Sequence, residues 1–183
     1  MDFEQVVTAL LRGLEEAHIR YGVIGGFAVG ALGVPRATMD LDLLIHAADL
    51  PQLDEAMRRL GYKRRARTEN VSHYAHPEAR WGAIDCLHAM RKYTLAMLER
   101  AQSRPIFGGT RTIKVLQVED VIGLKVQGMA NNPNRQGRER VDIEALMSVY
   151  RDRLDWNRIQ EYYTIFDMEA EAERLRKQFG HAE

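Results

Sequence analysis

An Asp-x-Asp pair at the start of an apolar run constrains this chain more than any other feature. Asp40 stands just before the run at residues 41–45, which is apolar except for Asp42. Alternate side chains of a strand share one face, so a strand over residues 39–46 would point both carboxylates the same way. An isolated pair of this kind is most often a surface feature. Here the apolar context favours a functional role, because aspartate is disfavoured in strands and buried carboxylates need a cation, a hydrogen bond or a metal.

A glycine pair and two polar residues come shortly before these carboxylates. Gly25 and Gly26 follow a short apolar stretch, and glycine lets backbone amides approach a ligand closely, with further help from the N-terminus of a following helix. Arg36 and Thr38 occupy alternate positions that would share the face of the aspartates, although Arg36 is equally compatible with a solvated strand entrance. The pattern suits a site for Mg²⁺ and a nucleoside triphosphate.

Further charged residues could complete such a site. Asp85 lies in a second apolar stretch, where a lone aspartate is usually a local hydrogen-bonding partner but could also be a third metal ligand. Lys125 flanks the apolar stripe of a predicted helix over residues 118–129, so it could extend along the surface or reach a phosphate. Asp142 lies near the start of a helix predicted over residues 138–150, where a favourable interaction with the helix dipole is the competing explanation.

Histidines and basic runs offer weaker signals. His73, His76 and His88 lack the spacing of a zinc protease, and Cys86 is the one cysteine of the chain, so a structural zinc site is not expected. Two basic runs are predicted either as solvated faces or as surfaces that steer a polyanionic acceptor. They comprise Lys63, Arg64, Arg65 and Arg67, and Arg135, Arg138 and Arg140.

Hydrophobic periodicity predicts an α+β fold. Strand-like and helix-like segments alternate over the first two thirds, and almost every segment after residue 116 has helical spacing. The predicted architecture is a mixed β-sheet flanked by helices, with a helical C-terminal section. We expect residues 1–116 to form the catalytic core and residues 117–183 to complete a nucleotide site.

Composition excludes several classes of protein. The 26 basic and 26 acidic residues give a net charge of zero, which argues against a protein that depends on non-specific phosphate contacts. A single cysteine cannot form an intrachain disulfide and fits a reducing compartment. No secretion signal is recognisable, and no uncharged apolar run approaches the roughly 20 residues that span a bilayer. These features predict a cytoplasmic protein with no membrane partner.

The order of these motifs resembles the nucleotidyltransferase superfamily, which has the DNA polymerase beta-like fold. The family pattern is a glycine pair, a short helix, an Asp-x-Asp strand and a third carboxylate on a later strand. Gly25 and Gly26, Asp40 and Asp42, and Asp85 match these elements in order.

A more specific resemblance is to bacterial AbiEii-type nucleotidyltransferases. That group shares Gly-Gly-x-Ala-Val followed by Arg-x-Thr-x-Asp-x-Asp. It also shares a helix that begins with Glu-Asp and contains a lysine. The corresponding residues here are Glu119, Asp120 and Lys125. The following helix of the group is matched in outline around Asp142. The resemblance covers roughly residues 20–150.

The resemblance implies a reaction and a set of roles. Asp40, Asp42 and Asp85 would be the catalytic residues and would bind two Mg²⁺ ions, and a nucleoside monophosphate would pass from an NTP such as ATP to an acceptor hydroxyl. The implied nucleotide-binding residues are Gly25, Gly26, Arg36, Thr38, Lys125 and Asp142.

The acceptor and the biological role stay open at this level. An RNA or tRNA end, a protein side chain and a small molecule such as an antibiotic are all compatible with the motifs. The enzyme could be the toxin of a toxin–antitoxin pair, with a cognate antitoxin protein as partner. The alternatives are an antibiotic nucleotidyltransferase, or a non-catalytic or antitoxin-like interaction protein with the same fold.

Overall fold

A computed structural model of the protein describes residues 2–38 and 40–180. Within these residues, a mixed sheet of seven strands has the order β3-β4-β5-β2-β1-β7-β6. The strands are β1 Tyr21–Ile24, β2 Leu41–His46, β3 Lys63–Arg67, β4 Val71–Ala75, β5 Ala83–Ala89, β6 Gln102–Ile106 and β7 Arg111–Val115. The helices are α1 Phe3–Glu16, α2 Gly25–Ala31, α3 Leu50–Arg59, α4 Lys92–Glu99, α5 Val118–Asn131, α6 Gln136–Tyr150, α7 Trp156–Thr164 and α8 Glu169–Phe179.

Strand β2 occupies the centre of the sheet, and four of its six side chains are apolar and buried. Leu41, Leu43, Leu44 and Ile45 are each at most 1% exposed. The strand pairs antiparallel with β1 and parallel with β5. A central strand must be covered on both faces, and this explains why its sequence is a nearly continuous apolar run rather than an alternating one.

The chain divides into two compact units. The first, the sheet unit, contains residues 2–31 and 36–116, and the second, the helical unit, contains residues 32–35 and 117–180. In the sheet unit, α1 and α3 pack together. Asp2 caps the N-terminus of α1 by accepting a hydrogen bond from the backbone N–H of Gln5 at 3.2 Å, an arrangement that satisfies an otherwise unpaired helix donor.

The helical unit is built around α5, which packs on α6 and α7. Gly123 lets α7 approach closely, since a Cβ at this position would lie 2.6 Å from the ring of Tyr162. The hydroxyl of Tyr162 donates to Asp120 at 2.6 Å, and Asp120 is fully buried. One residue without a side chain therefore allows the packing that a buried aspartate then fixes through its hydrogen bond.

The predicted α+β class and the mixed sheet are confirmed, and several boundaries differ. The strand predicted from residue 39 begins at Leu41, and Met39 lies outside the described residues. Asp40 therefore lies in a bend before β2 rather than within the strand. The helix predicted over residues 118–129 extends to Asn131, and the helix predicted over residues 138–150 begins at Gln136. The connection between them is correspondingly shorter and contains a 3₁₀ turn at Pro133–Arg135.

Within residues 2–38 and 40–180, no helix is both long and apolar enough to cross a bilayer.

Candidate functional site

Asp42 and Asp85 lie side by side on neighbouring strands. They are directly paired in the parallel register of β2 and β5. Paired positions of adjacent strands share a face, so both carboxylates lie on the same side of the sheet, one strand spacing apart. Both residues are partly exposed. The structure therefore brings together two aspartates that are 43 positions apart in the sequence.

Gly25 provides the backbone surface next to Asp42. Its φ of +66° lies in the left-handed region that favours glycine. A Cβ built on Gly25 would lie 2.6 Å from Cγ of Asp42 and would overlap its carboxylate. The carboxylate therefore packs directly on the turn between β1 and α2, and any side chain at this position would displace it.

Gly26 is the contact point for the segment that leads into β2. A Cβ on Gly26 would lie 3.0 Å from Cβ and Oγ1 of Thr38 and 3.9 Å from Cγ of Arg36. The structure therefore places Arg36 and Thr38 against the glycine turn, where the sequence pattern predicted that they would share a site. Both are partly buried in an irregular segment rather than in an extension of β2.

Asp40 is exposed, and its backbone is fixed by a local hydrogen bond. The hydroxyl of Thr38 donates to the carbonyl oxygen of Asp40 at 3.0 Å. The same-face argument from strand alternation thus applies to Asp42 but not to Asp40, because only Asp42 lies within β2.

His73 is a site residue that sequence reasoning missed. It pairs with Asp85 in the antiparallel register of β4 and β5, and its Nδ1 lies 2.7 Å from Oδ1 of Asp85. An ionised carboxylate can only accept, so Nδ1 donates to Asp85. In the sequence, His73 stands out only as one of three histidines without zinc spacing. Its pairing with Asp85 depends on the register between two strands, which is not visible in a sequence.

The opposite face of β5, formed by Ile84, Cys86 and His88, is buried. Burial, followed by the negative charges of Asp85 and Asp42, raises the pKa of the Cys86 thiol well above its usual range. Burial also lowers the pKa of His88. Nδ1 of His88 lies 2.7 Å from the carbonyl oxygen of Glu69, so it donates there, and Nε2 lies 2.8 Å from the Ser72 hydroxyl.

The donor set at the sheet suits Mg²⁺. Aspartate oxygens are the hard ligands that this ion prefers, and it is commonly held by one or two carboxylates together with substrate phosphates. Among residues 2–38 and 40–180, no three Asp, Glu, His or Cys side chains already converge closely enough to hold a metal ion. The paired, partly exposed carboxylates of Asp42 and Asp85 thus fit an ion that completes its coordination with a bound nucleotide.

Lys125 and Asp142 lie in the helical unit, where they bind each other. Nζ of Lys125 donates to Glu139 at 2.8 Å and to Asp142 at 2.7 Å. All three side chains are at most 8% exposed, and Arg135 adds a second cation to Glu139 at 2.8 Å. Glu139 was not singled out from the sequence. Here it is part of a buried ionic cluster.

The chain matches the model of a known protein family. The model of a family described as "Uncharacterised nucleotidyltransferase" matches residues 3–173, which is nearly the whole chain. The chain belongs to this family. The recognition of the nucleotidyltransferase superfamily from the glycine pair and the aspartates is confirmed, and the chain is a nucleotidyltransferase at this level of description.

Solved structures share the fold of this nucleotidyltransferase. The solution structure of the antibiotic-resistance factor ANT(2'')-Ia has a TM-score of 0.67 at 15% identity, with 97% of this chain and 99% of that one covered. A nucleotidyltransferase-like protein from Paracoccidioides brasiliensis has a TM-score of 0.60 at 16% identity, with coverages of 99% and 94%.

A third structure is that of the lincosamide antibiotic adenylyltransferase LnuA, bound to lincomycin. Its TM-score is 0.58 at 17% identity, with 80% of this chain and 97% of that one covered. At such identities the likeness concerns the fold alone. No curated protein matches the chain by sequence.

Proposed function

We propose that this nucleotidyltransferase moves a nucleoside monophosphate from an NTP to an acceptor hydroxyl, with Mg²⁺ held by Asp40, Asp42 and Asp85. The observation that carries the proposal is the direct pairing of Asp42 with Asp85 beside the turn at Gly25. Adjacent carboxylates on one partly exposed face supply the oxygen ligands that a divalent cation prefers. A metal ion with a nucleotide would supply that cation.

The side chains have separate roles in this proposal. Gly25 and Gly26 would offer backbone amides to the triphosphate, and their lack of side chains leaves room for Asp42 and Thr38 beside the turn. Arg36 and Thr38, which pack on Gly26, offer a guanidinium and a hydroxyl to the phosphates. Bound Mg²⁺, expected as two ions, would stabilise the charge on the triphosphate and on the attacking and leaving oxygens.

Asp85 is the proposed general base. Its carboxylate is oriented by the hydrogen bond from His73 and is 41% exposed, so an acceptor can reach it. The acceptor oxygen bonds to the α-phosphorus, the bond from that phosphorus to pyrophosphate breaks, and the acceptor proton passes to Asp85. The products are the nucleotidylated acceptor and pyrophosphate.

Lys125 and Asp142 are proposed as nucleotide-binding residues, as the family resemblance implies. In the structure, the ammonium of Lys125 is held by two carboxylates, Glu139 and Asp142. A phosphate would therefore have to compete with these carboxylates for the lysine. The same cluster could serve only to stabilise the helical unit, and a Lys125 variant separates the two roles.

The test is incubation of the full chain with each α-³²P-labelled NTP, Mg²⁺ and three acceptor classes. The acceptors are total RNA, total protein and a panel of aminoglycosides and lincosamides. Label in RNA or protein would support a toxin-like enzyme, which a growth assay with and without a candidate antitoxin could then examine. Label in the drug panel would support an antibiotic nucleotidyltransferase.

Asp85→Asn is the matched variant, because it keeps the shape of the side chain and removes its charge. It should transfer no label to an acceptor that the wild type modifies, while its circular dichroism stays unchanged. If the wild type labels no acceptor, and calorimetry shows no Mg²⁺-dependent binding of any NTP, the proposal fails. A non-catalytic interaction protein with this fold would then be the correct description.

A further inference from the structure

Strand β3 concentrates positive charge at one edge of the sheet. It is the outermost strand on the side of β5, and all of its residues are exposed. It carries Lys63, Arg64, Arg65 and Arg67. Charge on an edge strand commonly prevents pairing with other chains. The direction of each side chain shows whether these cations have more than this protective role.

Arg64 and Arg67 bind one carboxylate on the face that packs against α3. Arg67 binds Asp54 through two hydrogen bonds of 2.9 Å, and Arg64 also binds Asp54. The hydroxyl of Tyr74, a buried residue of β4, donates to the same carboxylate at 2.7 Å. These two arginines therefore fasten β3 to α3, and their guanidinium groups are held by Asp54.

Lys63 lies on the opposite face, the one that carries the candidate catalytic carboxylates. It pairs with Ala75, which in turn pairs with Ala83. Ala83 is two residues before Asp85 on β5, so the alternation of strand side chains places Lys63 and Asp85 on one face. In the described part of the chain, Lys63 has no ion-pair partner.

Arg65 is the extra residue of a bulge in β3. The register of β3 shifts between Arg64, which pairs with Tyr74, and Ala66, which pairs with His73, the partner of Asp85. The extra residue of a bulge is left unpaired, so Arg65 lies between these two positions on the exposed strand. At a strand spacing of about 4.8 Å, β3 lies about 10 Å from β5. Arg65 also lacks an ion-pair partner within residues 2–38 and 40–180.

We propose that Lys63 and Arg65 bind phosphates of a single-stranded nucleic acid whose 3′-terminal hydroxyl is the acceptor at Asp85. This inference rests on the proposed function and names its acceptor class. Two uncompensated cations beside the carboxylates attract a polyanion and repel a polycation such as an aminoglycoside. Because the net charge of the chain is zero, binding depends on these local contacts rather than on a general positive field.

The test measures the affinity of the full chain for a fluorescein-labelled, unstructured oligoribonucleotide by anisotropy, without NTP, at several salt concentrations. Each phosphate contact on a single strand contributes about 0.7 to the salt slope, so the two contacts account for about sevenfold in affinity between about 50 and 200 mM salt. The double variant Lys63→Gln/Arg65→Gln is expected to bind more weakly and to lose this sevenfold difference.

Arg58→Gln/Arg59→Gln is the matched control. It removes the same two charges from exposed side chains of α3 that already bind Glu55. The control should retain the affinity and salt slope of the wild type. Unchanged circular dichroism would show that both double variants are folded, as expected for substitutions at exposed positions.

Three results would overturn the inference. They are no measurable binding of the oligonucleotide by the wild type, equal losses in the two double variants, and tighter binding of polyglutamate than of the oligonucleotide with the same dependence on Lys63 and Arg65. The last would indicate an acidic protein acceptor.

Transfer assays then separate this inference from the proposed function. If small acceptors are labelled but the oligonucleotide is neither bound nor labelled, only the acceptor class is wrong. If Lys63 and Arg65 bind the oligonucleotide but no acceptor is labelled, the transfer reaction is wrong and the binding surface remains.

Discussion

The acidic pair of the sheet unit and the lysine cluster of the helical unit use similar side chains in opposite ways. The acidic pair consists of Asp42 and Asp85, which share one face of the sheet. The side chain of Asp85 is 41% exposed. The lysine cluster consists of Lys125, Glu139 and Asp142, and none of its side chains is more than 8% exposed.

Burial explains the difference. A charge removed from water must be paired within the protein, and the lysine cluster pairs its charges internally. Carboxylates that keep contact with water can instead accept an external cation. In the proposed function the acids of the sheet unit bind a ligand, whereas the charges of Lys125, Glu139 and Asp142 bind one another.

The comparison is challenged most severely by Lys125→Met. Removing the cation would leave the buried carboxylates of Glu139 and Asp142 without the ammonium that binds them both, so we expect a loss of about 3–5 kcal/mol in the free energy of unfolding. Urea denaturation measures this loss. The triple variant Lys125→Met/Glu139→Gln/Asp142→Asn should recover much of it, because no uncompensated charge is left. If Lys125→Met is as stable as the wild type but no longer binds NTP, the lysine is a ligand residue and the contrast fails.

The same substitution in both regions sharpens the contrast. Asp42→Asn should lower the transfer rate at least about 10²-fold, with little change in stability, because it removes a proposed metal ligand. Asp142→Asn should destabilise the fold by about 2 kcal/mol, since it removes a charged hydrogen bond to a buried lysine. Initial rates and urea denaturation of both variants test this. Full activity of Asp42→Asn would show that the acidic pair is not catalytic.

Two glycines that both have positive φ test the turn beside the acidic pair. Gly25 and Gly109 both have positive φ, at +66° and +88°, so alanine should cost about 1 kcal/mol at each from backbone strain. Only at Gly25 would the new methyl group also overlap Asp42, whereas nothing lies within 4 Å at Gly109. Gly25→Ala should therefore lose more stability and also transfer activity. Equal effects would contradict a close approach of Asp42 to the turn.

The smallest expected effect concerns the buried face of β5, opposite Asp85. The pKa of His88 is lowered by burial, so the unfolded chain binds a proton there more readily than the folded one. This contribution to stability is complete above the unfolded pKa of about 6.5 and is lost as the pH falls towards the lower folded pKa. A titration of the His88 ring by NMR checks the direction, with urea-unfolded protein as the control. A folded pKa above the unfolded one would contradict the burial argument.

Local patterns in the sequence predicted much of the fold. The helical spacing at residues 118–129 and the apolar run at 41–45 lie within α5 and β2, because periodicity and burial determine such elements locally. The start of β2 was less accurate, since Asp40 lies in a bend. Strand ends depend on hydrogen bonds to neighbouring strands, and these neighbours are distant in the sequence.

The candidate site was predicted in part. Gly25, Thr38 and Asp42 meet at the turn as their order suggested, and two-metal transfer and the acceptor stay predictions. The partner of Asp85 was not found, because His73 reaches it only through the register of β4 and β5. The pairing of Lys125 with Asp142 was not anticipated either, because packing of α5 on α6 brings them together.

The sequence by itself determined the family, the α+β class and the residues that could bind a metal and a nucleotide, because these depend on residue type and local spacing. The tertiary structure decided which charges are available to a ligand. Arg64 and Arg65 are adjacent in the chain, yet Arg64 binds Asp54, whereas Arg65 has no ion-pair partner in the described part of the chain. Strand pairing and burial, which act between distant residues, separate a structural charge from one that can bind.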